Sequence, residues 1–232
     1  MTARCFLSHS WSDGGHCFAL RLKSALEARG VRIWLDESDI HAGQDLRHRM
    51  ISGVRECDVF LFVLSPDSVA SENCLIELRT ALKCRDEVGL QITPILLKVC
   101  KVPSELKDIL YVDFSNEQRF DKAIEELLPG IADASRVRQR VADLVASDAE
   151  SRKTAAQALG EEDNPFTVPI LRRCLCSSNR EPNGDVRYWL AIALGEIGTE
   201  DACAALRAAL DREKDPFALL GIEEGLNRAC YS

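Results

Sequence analysis

The chain has 232 residues, 46% of them apolar and 28% charged, with a formal net charge of −8. That length holds one large domain or two modest ones, and the composition is that of an ordinary globular protein. A balance this acidic argues against partners held by phosphate neutralisation, so no nucleic-acid role is expected.

Strands and helices alternate through the first 128 residues. Arg4-Cys-Phe-Leu-Ser8 reads as a short strand, and residues 14–29 as a helix with Phe18, Leu22, Ala25 and Leu26 on one face and Gly30 as its stop. Val31 to Leu35 is the second strand, and Asp36 to Asp45 a polar loop containing Gly43. A helix carrying Leu46, Met50 and Val54 leads to Val59-Phe-Leu-Phe-Val-Leu64, an unbroken apolar run too short to span a membrane. Such a run is the mark of a strand buried on both faces of a parallel sheet. Ser65-Pro66 is expected to stop it and open a polar loop at its carboxyl end, where open α/β sheets bind ligands. Residues 73–84 form the next helix, Ile92 to Leu97 the fourth strand and Ile109 to Phe114 the fifth. An amphipathic helix over 117–128 closes the unit at Pro129-Gly130. Five strands with intervening helices imply a parallel sheet covered on both faces.

From residue 131 onward the pattern is helical and repeats. Arg152-Lys-Thr-Ala-Ala-Gln-Ala-Leu-Gly160 aligns with Arg187-Tyr-Trp-Leu-Ala-Ile-Ala-Leu-Gly195, and Leu219 to Leu226 aligns more loosely after that. Val168–Cys176 and Asp201–Leu210 are the second helices of each pair. Helix pairs at this period read as a solenoid and resemble short HEAT repeats. So few repeats are expected to pack against the first domain or a second copy of the chain.

The ten cysteines fall mostly inside apolar periodic segments, where Cys behaves as a small hydrophobe. Cys174-Leu-Cys176 lacks a second pair or a nearby His, so no metal is expected. Unpaired thiols suit a reducing compartment. Residues 1–7 run into a strand with no leader, and no apolar run nears the roughly 20 residues of a membrane span. A cytoplasmic location without membrane contact is the expectation.

Four motifs in order carry a resemblance: Cys5-Phe-Leu-Ser-His9-Ser; Trp34-Leu-Asp36 with Ile40-His-Ala-Gly43; Phe62-Val-Leu-Ser65-Pro66; and Ser71-Glu-Asn-Cys74-Leu-Ile-Glu77-Leu. With them, residues 3–128 resemble a TIR (Toll/interleukin-1 receptor) domain of bacterial type. The resemblance implies a flavodoxin-like sheet of five parallel strands ordered 2-1-3-4-5, giving a TIR domain over 1–130 and a HEAT-like helical domain over 131–232. Two departures stand out. Enzymatic TIR domains often carry Trp four residues before the glutamate, where this chain has Asn73, and the Phe-Trp box after the fifth strand is missing.

What the resemblance implies chemically is cleavage of the nicotinamide–ribose bond of NAD, as substrate and with no cofactor, in a prokaryotic immune or stress response. Linear and cyclic products both stay open. Glu77 takes the catalytic role, stabilising positive charge on the ribose. Ser8, His9, Ser10 and Trp11 at the end of the first strand, with Ser65 and Asn73, are the candidate substrate contacts. Trp34, Asp36 and Gly43 join them through the second motif, although Trp34 sits in a strand pattern that favours the core. His41 and His48 read as surface residues, and Arg47 or Arg49 as compensation for the acidic loop. Bare residue patterns leave alternatives: Glu77 as a solvated helix glutamate, and Ser10 or Ser12 as a helix cap. Self-association through the TIR domain is implied, with a protein or ligand trigger at the repeats. A non-enzymatic adaptor acting through protein contacts competes with the enzyme, and a nucleotide-binding regulator without turnover is a third reading.

Overall fold

The computed structural model describes residues 2–12, 14–35 and 46–230, apart from the side chains of residues 46–50 and 230. Asp36, Gly43 and His41, and the side chains of Arg47, His48 and Arg49, therefore lie outside the described residues. Contacts divide the chain into two compact units, residues 1–85 with 90–135, and residues 86–89 with 136–232.

In the first unit β1 (Arg4–Ser8), β2 (Arg32–Trp34), β3 (Val59–Leu64), β4 (Gln91–Leu96) and β5 (Val112–Asp113) form one parallel sheet in the order 2-1-3-4-5. The apolar run does become the central strand, with all six residues of β3 buried. Cys5 to Ser8 pair with Val59 to Phe62, so β1 and β3 end side by side. The Asp58 carboxylate accepts from the Arg4 amide at 2.9 Å and sets the start of this register.

Around the sheet lie α1 (Gly15–Glu27), α2 (Leu46–Glu56), α3 (Pro66–Ala70), α4 (Glu72–Val88) and the long α5 (Phe120–Asp143). Two expectations fail here. The loop expected after Ser65-Pro66 is the short helix α3, with Ser65 accepting from the Ser68 amide as its cap and proline in its first turn. The helix expected to stop at Pro129-Gly130 runs on to Asp143. An interior proline costs about 3 kcal/mol through a lost hydrogen bond and a clash with the carbonyl four residues back. Both Pro129 and Glu125 face solvent, so water can serve that carbonyl. Beyond the proline the helix buries Ile131, Val137 and Val141, each contributing roughly 1.5–3 kcal/mol, and burial wins.

The second unit is helical: α6 (Ala149–Glu161), α7 (Val168–Cys176), α8 (Gly184–Ile197), α9 (Glu200–Leu210) and α10 (Pro216–Cys230). First helices α6, α8 and α10 stack in one layer, and second helices α7 and α9 in another. Gly195 permits the close approach within the first layer, because a Cβ there would sit 2.5 Å from the Gly225 Cα. The repeat extends to atoms. Asp148, Asn183 and Asp215 each cap a first helix, accepting from the amides of Ser151, Val186 and Ala218. Arg152 clasps the Glu181 carboxylate and the Ala146 carbonyl, as Arg187 clasps Glu213 and the Glu181 carbonyl. The third copy has Leu219 at the arginine position, which is why its alignment is looser.

Candidate functional site

A cleft of about 360 Å³ opens at the carboxyl ends of β1 and β3, a size that suits a small-molecule site. Its back is built by α4, whose buried residues Cys74, Glu77, Leu78, Ala81 and Cys84 recur at helical spacing. Glu77 thus stands at a position where the pattern otherwise puts an apolar side chain, and it is only 4% exposed. A buried carboxylate is costly unless hydrogen-bonded. The Ser8 hydroxyl, the last residue of β1, donates to Glu77 Oε2 at 2.5 Å. Beside them burial pushes the Cys74 thiol up, with the Glu77 charge adding to that effect.

The other wall comes from the turn after β1. Gly14, at φ 74°, lies in the left-handed region, and a Cβ on Gly15 would collide with the Ser10 carbonyl oxygen. These two glycines fold the start of α1 back over the strand end and bring His16 to the cleft mouth. The Trp11 ring stacks on His16 with centroids 4.2 Å apart and planes 15° apart. His9 Nε2 lies 3.2 Å from His16 Nδ1. Burial lowers the His9 pKa from 6.5, against a hydrogen bond to the Leu7 backbone that raises it. A neutral His9 donating to Leu7 leaves Nε2 to accept from His16, an assignment drawn from the partners. The result is a wall of three rings, neutral on the His9 side at pH 7.

The candidate residues divide into two groups. His9, Ser10, Trp11, Asn73 and Glu77 line this cleft, and Ser8 holds the carboxylate behind it. Ser65 is fully buried and serves α3, sharing a 3.0 Å contact with the Ser68 hydroxyl, which also accepts from the Ser10 amide. Trp34 packs on Phe6 at 4.7 Å and lines a separate hollow with Arg32 and Glu56, so it is not brought to Glu77. Ser12 and Asp67 line the cleft and His16 backs its Trp11 ring, and the sequence reading selected none of the three as a site residue. For His16 the available signal was the Gly14-Gly15 pair ahead of it, which marks a sharp turn.

Asp67 and Glu77 make the described lining acidic, and it includes neither Lys nor Arg. Such a surface favours a cationic, flat ligand group: the rings present π faces to it and the carboxylates oppose its charge. Among the described residues no three His, Cys, Asp or Glu side chains are grouped to hold a metal ion.

The TIR domain family matches this chain over residues 5–128, and the HEAT-repeat family over residues 137–227. Among curated proteins, a probable 2′ cyclic ADP-D-ribose synthase of Brachypodium distachyon is 32% identical over 83 residues, covering 36% of this chain and 37% of that protein. A putative disease resistance protein of Arabidopsis thaliana is 28% identical over 102 residues, covering 44% of this chain and 9% of that protein. The chain spans well under half the length of either curated relative. Of solved structures, the TIR domain of the Toll-related receptor TRR-2 of Hydra magnipapillata matches at 21% identity and a TM-score of 0.48, covering 55% of this chain and 97% of that one. The TIR domains of the activated Roq1 resistosome, which recognises the pathogen effector XopQ, match at 19% identity and a TM-score of 0.46, covering 56% and 99%.

Proposed function

Because the chain belongs to the TIR domain family, with HEAT repeats behind that domain, we propose that it cleaves the nicotinamide–ribose bond of NAD⁺ at Glu77. The observation that carries this reading is the Glu77 carboxylate, buried yet lining the cleft, held by Ser8 and faced by the Trp11–His16 wall. NAD⁺ already bears a pyridinium. When the C1′–N bond breaks, both electrons go to nitrogen and nicotinamide departs neutral, so no general acid is needed, unlike ordinary glycoside hydrolysis with its two carboxylates. Positive charge moves to the ribose ring, and a fixed carboxylate in a poorly hydrated site stabilises it. Water then adds at C1′ and loses a proton to give ADP-ribose, or a hydroxyl or ring nitrogen of the same molecule adds to give a cyclic product. The name of the Brachypodium relative supports a cyclic outcome as one branch.

The described cleft is acidic, so the diphosphate must find its cations elsewhere. A second copy of the chain is the source we propose, which links turnover to self-association. Free thiols at Cys5, Cys17, Cys74, Cys100, Cys174 and Cys176 fit the reducing cytoplasm we propose as its location. No helix of the described residues is long and apolar enough to cross a membrane.

Asn73, exposed where the resemblance implies tryptophan, favours the second reading, an adaptor working through protein contacts. Incubating the concentrated full chain with NAD⁺ and following nicotinamide separates the two. Release that depends on the protein supports the first; none at any concentration or assembly state leaves the adaptor.

A further inference from the structure

Between α7 and α9, within the second unit, lies a groove of about 590 Å³. Arg172, Arg173 and Arg212 line it together with Cys176, Ser177 and Asp201. Four other arginines of these repeats are engaged by acids: Arg152 by Glu181, Arg180 and Arg187 by Glu213, Arg228 by Glu196 and Glu224. Arg172 and Arg212 are exposed and have neither an ion pair nor a hydrogen-bond partner among the described residues. Arg173 donates to the Glu87 carbonyl at 2.6 Å, a neutral acceptor that fixes the arm and leaves its charge. Three guanidinium groups against one carboxylate give the groove a charge of +2, in a chain whose net charge is −8.

Arg172 and Arg212 share one neighbour in the groove, Cys176. Cys176 hydrogen-bonds the Ala205 carbonyl at 3.4 Å and so is held in place on the groove floor. Burial raises its thiol pKa, and the charges of Arg172, Arg212 and Arg180 each pull it back down. Planar guanidinium forks match the oxygens of phosphate. Val168, Pro169 and Ala208 add an apolar flank, and the volume is that of a small-molecule site.

We propose that the groove between α7 and α9 binds a small molecule bearing phosphate or pyrophosphate, gripped by Arg172, Arg173 and Arg212. This is independent of the chemistry at Glu77. It gives the repeat array a ligand class by which a soluble signal reaches the protein. The competing role for these side chains is to complement the carboxyl ends of α7 and α9, and that role needs no anion.

Calorimetric titration of the full chain with inorganic pyrophosphate, and separately with ADP, decides between them. Saturable binding that weakens as salt is added is the expected result. Arg172→Ala/Arg212→Ala should weaken it at least tenfold with an unchanged melting temperature, since both side chains are exposed. If that variant melts early, Arg212→Glu alone should give the same loss. Trp11→Ala should leave pyrophosphate binding as it is. No saturable binding by the wild type at millimolar pyrophosphate, equal binding by the arginine variants, or loss on Trp11→Ala instead would overturn the proposal.

Discussion

Trp11 is 57% exposed at the cleft mouth, stacked on His16, and adds little to the core. Its removal should therefore leave the fold alone and act on the ligand. Stacking a flat ring on an aromatic side chain contributes about 1–3 kcal/mol, so Trp11→Ala should raise the KM for NAD⁺ about fivefold or more at an unchanged melting temperature. A KM equal to wild type would take Trp11 out of the site. The His9–His16 pair adds a pH test. Because burial lowers the His9 pKa from 6.5, His9 stays neutral just below that pH and takes up its proton only on further acidification. Protonating His9 puts a proton on Nε2, so the 3.2 Å contact to His16 Nδ1 must reverse its donor or break. NAD⁺ affinity should hold near neutrality and fall on the acid side, and His16→Asn should alter that limb; a flat profile would contradict it. The end of β1 was legible in the sequence, because a polar run after a strand is a local pattern; Glu77 was singled out through the family resemblance, since its bare pattern also fits a solvated helix glutamate. Ser65 misled for a local reason too, since a serine before proline is both a strand stop and a helix cap. His16 depends on the fold of the Gly14-Gly15 turn, and no spacing rule reaches it.

At the scale of elements, the paired Arg–Glu clasps set the register of the repeats. Burial alone would raise the Glu213 pKa, but hydrogen bonds from Arg187 and from the Asp215 and Lys214 amides outweigh it and hold the carboxyl at about 2. With an unfolded value of 4.5, the ionised group contributes stability that is fully present above pH 4.5 and is lost as pH falls toward 2. The shift corresponds to roughly 3 kcal/mol. Urea unfolding of the helical unit across this range should show that loss, and Glu213→Gln should unfold more easily at neutral pH with a flatter acid dependence. An unchanged midpoint at neutral pH would show the clasp to be dispensable. The repeat itself was visible at its 35-residue offset, and so were the helices that carry it. The clasps were not, because Arg187 and Glu213 are 26 residues apart and meet only once the helices pack. The run of α5 through Pro129 was hidden for a similar reason: proline is a local signal, and the buried stripe beyond it is not.

For the whole molecule, the acidic cleft and the exposed Trp11 face lead to a prediction about assembly. If a second copy supplies the cations that the described lining lacks, specific activity should rise with protein concentration, in step with the associated fraction seen by sedimentation. A rate strictly linear in protein would mean that each chain works alone. The central claim is that one carboxylate, held by Ser8 at the end of β1, stabilises the departing transition state. Its most direct test is the rate of nicotinamide release by Glu77→Gln against wild type, at matched concentration, assembly and melting temperature. The account predicts a fall of at least ~10²-fold with NAD⁺ still bound. Equal rates would contradict it.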